Sequence, residues 1–205
     1  MKKIRVAVNG LGRIGRAFVR QAWDRKEIEI VAVNDLGSHE NLAYLLKYDT
    51  VYGKAPFSVS TKGENLVVDG KEVKAFAEKD PSALPWKDLA IDVVVESTGF
   101  FTEYEKANAH VLAGARRVVI TAPVKEESPL GATVLMGLNE DKIATCPITS
   151  NASCTTNAGS PVIAILDEVI GIEKAVLSTT HAYTASQSIV DGPSRKDMRE
   201  GRAAA

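Results

Sequence analysis

Ile4-Arg5-Val6-Ala7-Val8-Asn9-Gly10-Leu11-Gly12-Arg13-Ile14-Gly15 decides how the first half of this chain is read. Ile4 to Asn9 is a short β-branched run, the pattern of a parallel strand buried on both faces. Gly10-Leu11-Gly12-Arg13-Ile14-Gly15 follows it and matches G-x-G-x-x-G. From Arg13 to Lys26 the apolar residues Ile14, Ala17, Phe18 and Ala22 recur at helical spacing. The glycine string alone is a weak signal. Placed between a strand and a helix, it has the context that a dinucleotide-binding turn requires. The first glycine makes the tight turn, the second lets the backbone approach a pyrophosphate, and the third allows close helix–strand packing. The anion would sit on free N–H groups at the helix start, where Arg13 adds a positive charge.

A second strand is predicted at Glu29 to Asn34, and Asp35 follows it. Asp35 lies about 20 positions past the third glycine, where a carboxylate accepts hydrogen bonds from the ribose hydroxyls of the cofactor. The same charge repels a 2′-phosphate, so Asp35 favours NAD over NADP. Further along, the patterns predict a helix at Asn41 to Leu46, hairpins within Val51 to Lys79, a buried strand at Asp92 to Glu96, a helix at Glu103 to Ala113, and a strand at Arg117 to Thr121. Thr133 to Met136 and Ile148 to Thr149 complete the strands. This alternation specifies an α/β fold, a Rossmann-type doubly wound and mostly parallel sheet. Ligands of such sheets bind beyond the carboxyl ends of the strands. Ser97-Thr98-Gly99-Phe100 and Thr121-Ala122-Pro123 are therefore further candidate cofactor contacts.

The sheet pattern ends near Thr149 to Asn151, and that is the expected domain boundary. Beyond it lies Ser150-Asn151-Ala152-Ser153-Cys154-Thr155-Thr156-Asn157, one cysteine among small hydroxyl and amide side chains. The apolar run Pro161 to Ile172 predicts a helix just after it. The positive end of a helix dipole favours the thiolate, which is the nucleophilic form. His181 follows a predicted strand, Ala175 to Thr180, and is the candidate base. Cys146, in an apolar setting, reads as a small buried hydrophobe. His39 reads as solvated in a polar loop, and His110 as packed or facing water on its helix. No Cys and His cluster has zinc-ligand spacing, so no metal site is expected. A thiolate, an imidazole and a dinucleotide site together imply aldehyde oxidation. The thiolate adds to the aldehyde, hydride leaves to the nicotinamide, and a nucleophile releases the resulting thioester. The Cys154 backbone N–H and the imidazole would stabilise the oxyanion.

Bulk properties agree. The chain has 205 residues, 45% hydrophobic and 25% charged, with a formal net charge of −1. No global field favours nucleic acid or an anionic membrane. Nothing near the N-terminus reads as a signal peptide, no apolar run is long enough to span a bilayer, and two cysteines make no disulfide framework. The expected compartment is the cytoplasm. The last residues, Arg202-Ala203-Ala204-Ala205, carry no helix stop signal, and a fragment is expected.

Asn9-Gly10-x-Gly12-Arg13-Ile14-Gly15-Arg16, Val33-Asn34-Asp35-Leu36, Ser97-Thr98-Gly99, Ser150 to Asn157, His181-Ala182-Tyr183-Thr184 and Asp191-Gly192-Pro193-Ser194 closely resemble phosphorylating glyceraldehyde-3-phosphate dehydrogenases. The resemblance spans the chain, and its eight-residue cysteine motif is highly specific. It implies residues 1–150 as an NAD-binding domain and 151–205 as the start of an α+β catalytic domain. It implies a glycolytic homotetramer turning glyceraldehyde 3-phosphate, inorganic phosphate and NAD into 1,3-bisphosphoglycerate and NADH. By position, Cys154 matches the nucleophile and His181 its activator. Ser153, Thr155, Thr184 and Arg199 match substrate or phosphate contacts, and Arg13, Ile14, Asp35, Lys79 and Thr121 match cofactor contacts. Lys79 stands where the family usually has arginine, and Ala158 where many members carry a second cysteine. The family chain normally continues past Ala205, again implying a fragment. Erythrose-4-phosphate dehydrogenase fits the same motifs, and the fragment alone fits an NAD-binding module without turnover.

Overall fold

A computed structural model describes residues 2–185, 187–190, 192, 193 and 198. Two compact units divide the chain, Met1–Ile165 and Leu166–Ala205. The first is built on β1 (Ile4–Asn9), β2 (Ile28–Asn34), β5 (Val59–Lys62), β6 (Asn65–Val68), β7 (Lys71–Phe76), β8 (Val93–Glu96), β9 (Arg117–Ile120), β10 (Gly131–Thr133) and β11 (Ile148–Ser150). These form one sheet in the order β10-β11-β9-β8-β1-β2-β7-β6-β5. Pairing is parallel from β10 to β7 and antiparallel from β7 through β6 to β5. β3 (Tyr48–Asp49) and β4 (Gly53–Lys54) make a separate small hairpin.

Helices cover both faces. α1 (Arg13–Ala22) and α2 (His39–Lys47) close one core, with Val8, Val19, Leu42, Leu46 and Leu66 nearly inaccessible. α3 (Tyr104–Leu112) closes the other, around Trp86, Val94, Ala107, Val118 and Ile148. The central strands bury Val6, Val8, Val94, Val95, Val118 and Ile120, which explains their unbroken β-branched runs. The doubly wound reading therefore holds. β10 is displaced towards the N-terminus of the expected Thr133 to Met136 run. Leu135 and Leu138 are held instead in a turn, with Leu138 N–H donating to the Leu135 carbonyl.

One rung of the sheet organises everything that follows. Thr133, Ser150, Ile120, Glu96, Asn9, Asn34 and Phe76 are successive cross-strand partners from β10 to β7, all at the carboxyl ends of their strands. Sheet order reverses between β1 and β8, the switch point where such folds open a crevice.

Helix α4 (Cys154–Ile170) starts seven residues before the predicted Pro161. Ser153 accounts for the early start: its Oγ accepts the Thr156 N–H at 3.0 Å, satisfying a first-turn donor. Pro161 then lies inside the helix. In the second unit, residues 175–180 form no strand, contrary to the expectation from their alternation. They are exposed and pair with no neighbouring strand among the described residues, and a lone apolar run without a partner cannot satisfy its backbone as a strand.

Candidate active site

At the switch point a cleft of roughly 470 Å³ is lined by Asn9, Gly10, Gly12, Asn34, Asp35, Leu36, Glu78, Lys79, Ser97, Thr98, Phe100 and Phe101. Six of the predicted cofactor residues, Gly10, Gly12, Asp35, Lys79, Ser97 and Thr98, line it together. Gly10 has φ +93°, and a Cβ there would meet the Thr98 nitrogen at 2.7 Å. No other residue type fits that turn. At Gly15 a Cβ would lie 1.9 Å from the Gly10 carbonyl oxygen, so α1 can pack this close only with glycine. Gly12 is the N-cap of α1, makes no side-chain cap hydrogen bond, and faces open space. The first-turn N–H groups of α1 are thus left for an anion from the cleft.

Asp35 sits just past β2. Its Oδ2 accepts the Leu11 N–H at 2.7 Å and its Oδ1 the Gly37 N–H at 2.9 Å. A carboxylate has about four acceptor positions, so each oxygen keeps one for a ligand hydroxyl. On the cleft rim, Leu36 is 59% and Phe100 81% exposed, two apolar surfaces suited to the faces of an aromatic base. Lys79 is also exposed there. A pyrophosphate on the bare helix start, a ribose on Asp35 and a base between apolar walls all fit this donor set.

Arg13, Ile14, Gly15, Gly99 and Thr121 are not among the residues that line the cleft. Ile14 is exposed on the first turn of α1. Arg13 forms an ion pair with Asp49 of the β3–β4 hairpin, so its charge is already partnered. Hydrogen bonds from the Tyr52 and Val51 N–H groups, with Arg13, hold the Asp49 carboxyl at about 2. Arg16 donates to the Leu11 carbonyl at 2.6 Å, and burial pulls its guanidinium below its ordinary range. Thr121 donates both its N–H and its hydroxyl to the Glu96 carbonyl, at 2.9 and 3.1 Å.

The candidate nucleophile, Cys154, grows from the same sheet edge. Beyond the Ser150 rung position, the Asn151 N–H donates to the Ile120 carbonyl at 2.9 Å, and Ala152 adopts φ +55°. A left-handed alanine costs about 1–2 kcal/mol, strain of the kind that gathers at functional turns. The turn delivers Cys154 as the first residue of α4, exposed, with Ser153 and Thr155 half-buried beside it. His181 and Thr184 are exposed in the second unit. His181 Nδ1 lies 2.5 Å from the Ala182 carbonyl, and the Thr184 N–H donates to Gln187 Oε1 at 2.9 Å. Arg199 lies outside the described residues. Cys146 is buried, its Sγ 3.2 Å from the Ile148 carbonyl. His39 departs from the solvated reading: it starts α2, with Nε2 buried. Among the described residues no group of three or more His, Cys, Asp or Glu could hold a metal, and no helix is long and apolar enough to cross a membrane.

Phe100 of the Ser97–Phe100 loop lines the cleft as expected, while Asn9, Asn34, Leu36, Glu78 and Phe101 line it without having been singled out as ligand contacts from sequence. A signal existed for two: Val8-Asn9 and Val33-Asn34 repeat one dipeptide at the ends of neighbouring strands.

Comparison with known proteins agrees with this geometry. Residues 4–104, which contain the whole cleft, match the family described as glyceraldehyde 3-phosphate dehydrogenase, NAD binding domain. Residues 153–205, which contain Cys154 and His181, match its C-terminal domain. A glyceraldehyde-3-phosphate dehydrogenase of Thermotoga maritima is 52% identical over 204 residues, covering 98% of this chain and 60% of that protein. Glyceraldehyde-3-phosphate dehydrogenase 1 of Kluyveromyces marxianus is 48% identical over 202 residues, and the cytosolic enzyme of Trypanosoma brucei brucei 46%, with the same coverage. The chain spans 60% of the length of these relatives. With a glycine turn, Asp35 and a helix-initial cysteine in one chain, and with both domain matches, the protein belongs to the glyceraldehyde 3-phosphate dehydrogenase family.

Proposed function

We propose that this chain carries the cofactor site and the nucleophile of an NAD-dependent, phosphorylating glyceraldehyde-3-phosphate dehydrogenase. The observation that carries the reading is the shared rung: the cleft residues Asn9 and Asn34 and the strand leading to Cys154 end at one edge of one sheet. Residues 1–150 would form the dinucleotide domain and 151–205 the beginning of the catalytic domain. Gly10, Gly12 and the first turn of α1 would take the pyrophosphate, Asp35 the ribose, and Lys79, Ser97, Thr98, Gly99 and Thr121 the remaining contacts, with Arg13, Ile14 and Gly15 shaping the helix start.

The bound dinucleotide supplies a hydride acceptor. Cys154 adds as thiolate to the aldehyde carbon, forming a C–S bond and, once protonated, a thiohemiacetal. His181 takes the hydroxyl proton of that adduct as the carbon–hydrogen pair leaves as hydride, and a thioester remains on Cys154. An oxygen of inorganic phosphate then attacks the acyl carbon, the C–S bond breaks, and the thiolate returns with release of the acyl phosphate. The Cys154 N–H at the helix start suits the oxyanion formed in each addition. Ser153, Thr155, Thr184 and Arg199 would contact the substrate or phosphate. The working form would be a cytoplasmic homotetramer.

Incubation with glyceraldehyde 3-phosphate and NAD should leave an acyl group on Cys154 that mass spectrometry detects and that added phosphate discharges. Cys154→Ala should show no adduct yet bind NAD as before. Turnover by that variant would refute the nucleophile, and discharge independent of phosphate would refute the acceptor. Faster turnover of erythrose 4-phosphate would transfer the reading to that aldehyde.

A further inference from the structure

Beneath the cleft lies a chain of buried polar side chains that no step above uses. Asn9 is 1% exposed, Glu96 2%, and His110 and Trp86 0%. Trp86 Nε1–H donates to His110 Nδ1 at 2.9 Å. Nδ1 is therefore an acceptor, and the imidazole proton sits on Nε2, 3.0 Å from Glu96 Oε2. Asn9 Nδ2 donates to the same oxygen at 2.5 Å. The other oxygen, Oε1, accepts the Thr98 N–H at 2.8 Å and the Thr98 hydroxyl at 2.5 Å. Four donors fill the four acceptor positions of one carboxylate.

The chain continues across the sheet. Asn34 Nδ2 donates to Asn9 Oδ1 at 2.7 Å and to the Glu78 carbonyl at 2.9 Å, and the Glu78 N–H donates to Asn34 Oδ1 at 2.8 Å. Each anchor adjoins or forms a cleft wall: Thr98 itself, Gly10 after Asn9, Asp35 after Asn34, Lys79 after Glu78. Glu96 also folds the Ser97–Thr98 turn to the point where its backbone touches Gly10.

We propose that Glu96 is a positioning residue for the dinucleotide cleft. This rests on the cofactor reading above. Its carboxylate is the common acceptor that sets the Thr98 wall against Gly10 and, through Asn9 and Asn34, sets the Asp35 wall opposite. The fold alone does not call for it. Ile120, its partner on the next strand, occupies the same rung as an apolar residue, and a buried carboxylate is costly unless its hydrogen bonds serve something.

Glu96→Gln tests this. A carboxamide has one acceptor oxygen and adds two donors, so it cannot satisfy the four donors now in place. Amide hydrogen exchange without ligand and calorimetric titration with NAD are compared for the parent and variant chains. Leu66→Ala, which opens the core at the antiparallel end of the sheet, serves as a control for lost stability. In Glu96→Gln the Thr98 amide should exchange faster and the NAD dissociation constant should rise, each by roughly tenfold or more, the size expected for unpaired buried donors. Leu66→Ala should lower the melting temperature and change neither. If Glu96→Gln does not fold, His110→Phe carries the test, since it removes one donor to Glu96 and keeps an aromatic ring against the cleft residue Phe101. NAD affinity within about twofold of the parent in the folded variant overturns the proposal, because the loss of even one such bond exceeds that ratio. A parent that takes no NAD at millimolar ligand fails the cofactor reading instead; the proposal fails by itself when the parent binds and the variant matches it.

Discussion

Asp35 already accepts two backbone N–H groups, from Leu11 and Gly37, and half of its acceptor capacity remains for the cleft. Asp35→Ala would strand both donors, at about 1 kcal/mol or more each, and would confuse lost stability with lost specificity. Asp35→Asn keeps one acceptor oxygen, strands one of these donors and not both, and removes the charge that repels a 2′-phosphate. Its preference for NAD over NADP should fall roughly tenfold or more, as dissociation constants for both cofactors would show. An unchanged ratio would refute the ribose role. Asp35 and the three glycines were legible because turn geometry ties each to a fixed offset in the chain. The contacts among Glu96, Asn9 and Asn34 were not. A polar residue at a strand end reads as a solvated edge, and only the register of three strands shows these side chains facing one another below the surface.

The β3–β4 hairpin shows an element held by a charge. Asp49 binds the Val51 and Tyr52 N–H groups at 2.9 and 3.0 Å and pairs with Arg13 on α1. Its carboxyl is lowered from 3.8 to about 2, chiefly by the Tyr52 hydrogen bond. A carboxyl lowered by folding contributes stability that is fully present above its unfolded value and is lost as pH falls through its folded value. That contribution should therefore disappear between pH 3.8 and about pH 2. Asp49→Asn should flatten this part of the acid melting curve while leaving the slope above about pH 5 unchanged; thermal melts across the window check it. Equal slopes in parent and variant would remove Asp49 from the acid transition. Hairpins within residues 51–79 were readable from Lys62-Gly63-Glu64-Asn65 and Asp69-Gly70-Lys71. That β7 also adds in parallel to β2 was not, because non-local pairing leaves no periodicity of its own. The expected strand at 175–180 failed for the same reason in reverse: alternation promised a partner that the described residues do not supply.

At the scale of the molecule, strand–helix alternation sufficed for the doubly wound sheet, since each βα unit must bury one apolar face on each side. The surface was less legible. Helix α4 has no buried residue, and Val162, Ile163, Ile165, Leu166, Val169 and Ile170 are all exposed. Single exposed apolar residues are ordinary, but six on one helix exceed the scattered pattern of a finished surface. Ile165 and Val169 are one helical turn apart, 61% and 72% exposed, and so share a face. The native chain should therefore enhance the fluorescence of a hydrophobic dye and associate as concentration rises. The double substitution Ile165→Glu, Val169→Glu should suppress both. NAD affinity should stay at the parental value, because every cleft-lining residue lies between Asn9 and Phe101. Dye titration with sedimentation velocity separates the outcomes. If dye binding and association persist in the double variant, the apolar surface lies elsewhere. If NAD affinity falls with them, the helix and the cleft are energetically coupled, and the cofactor site extends beyond the strand ends that build it.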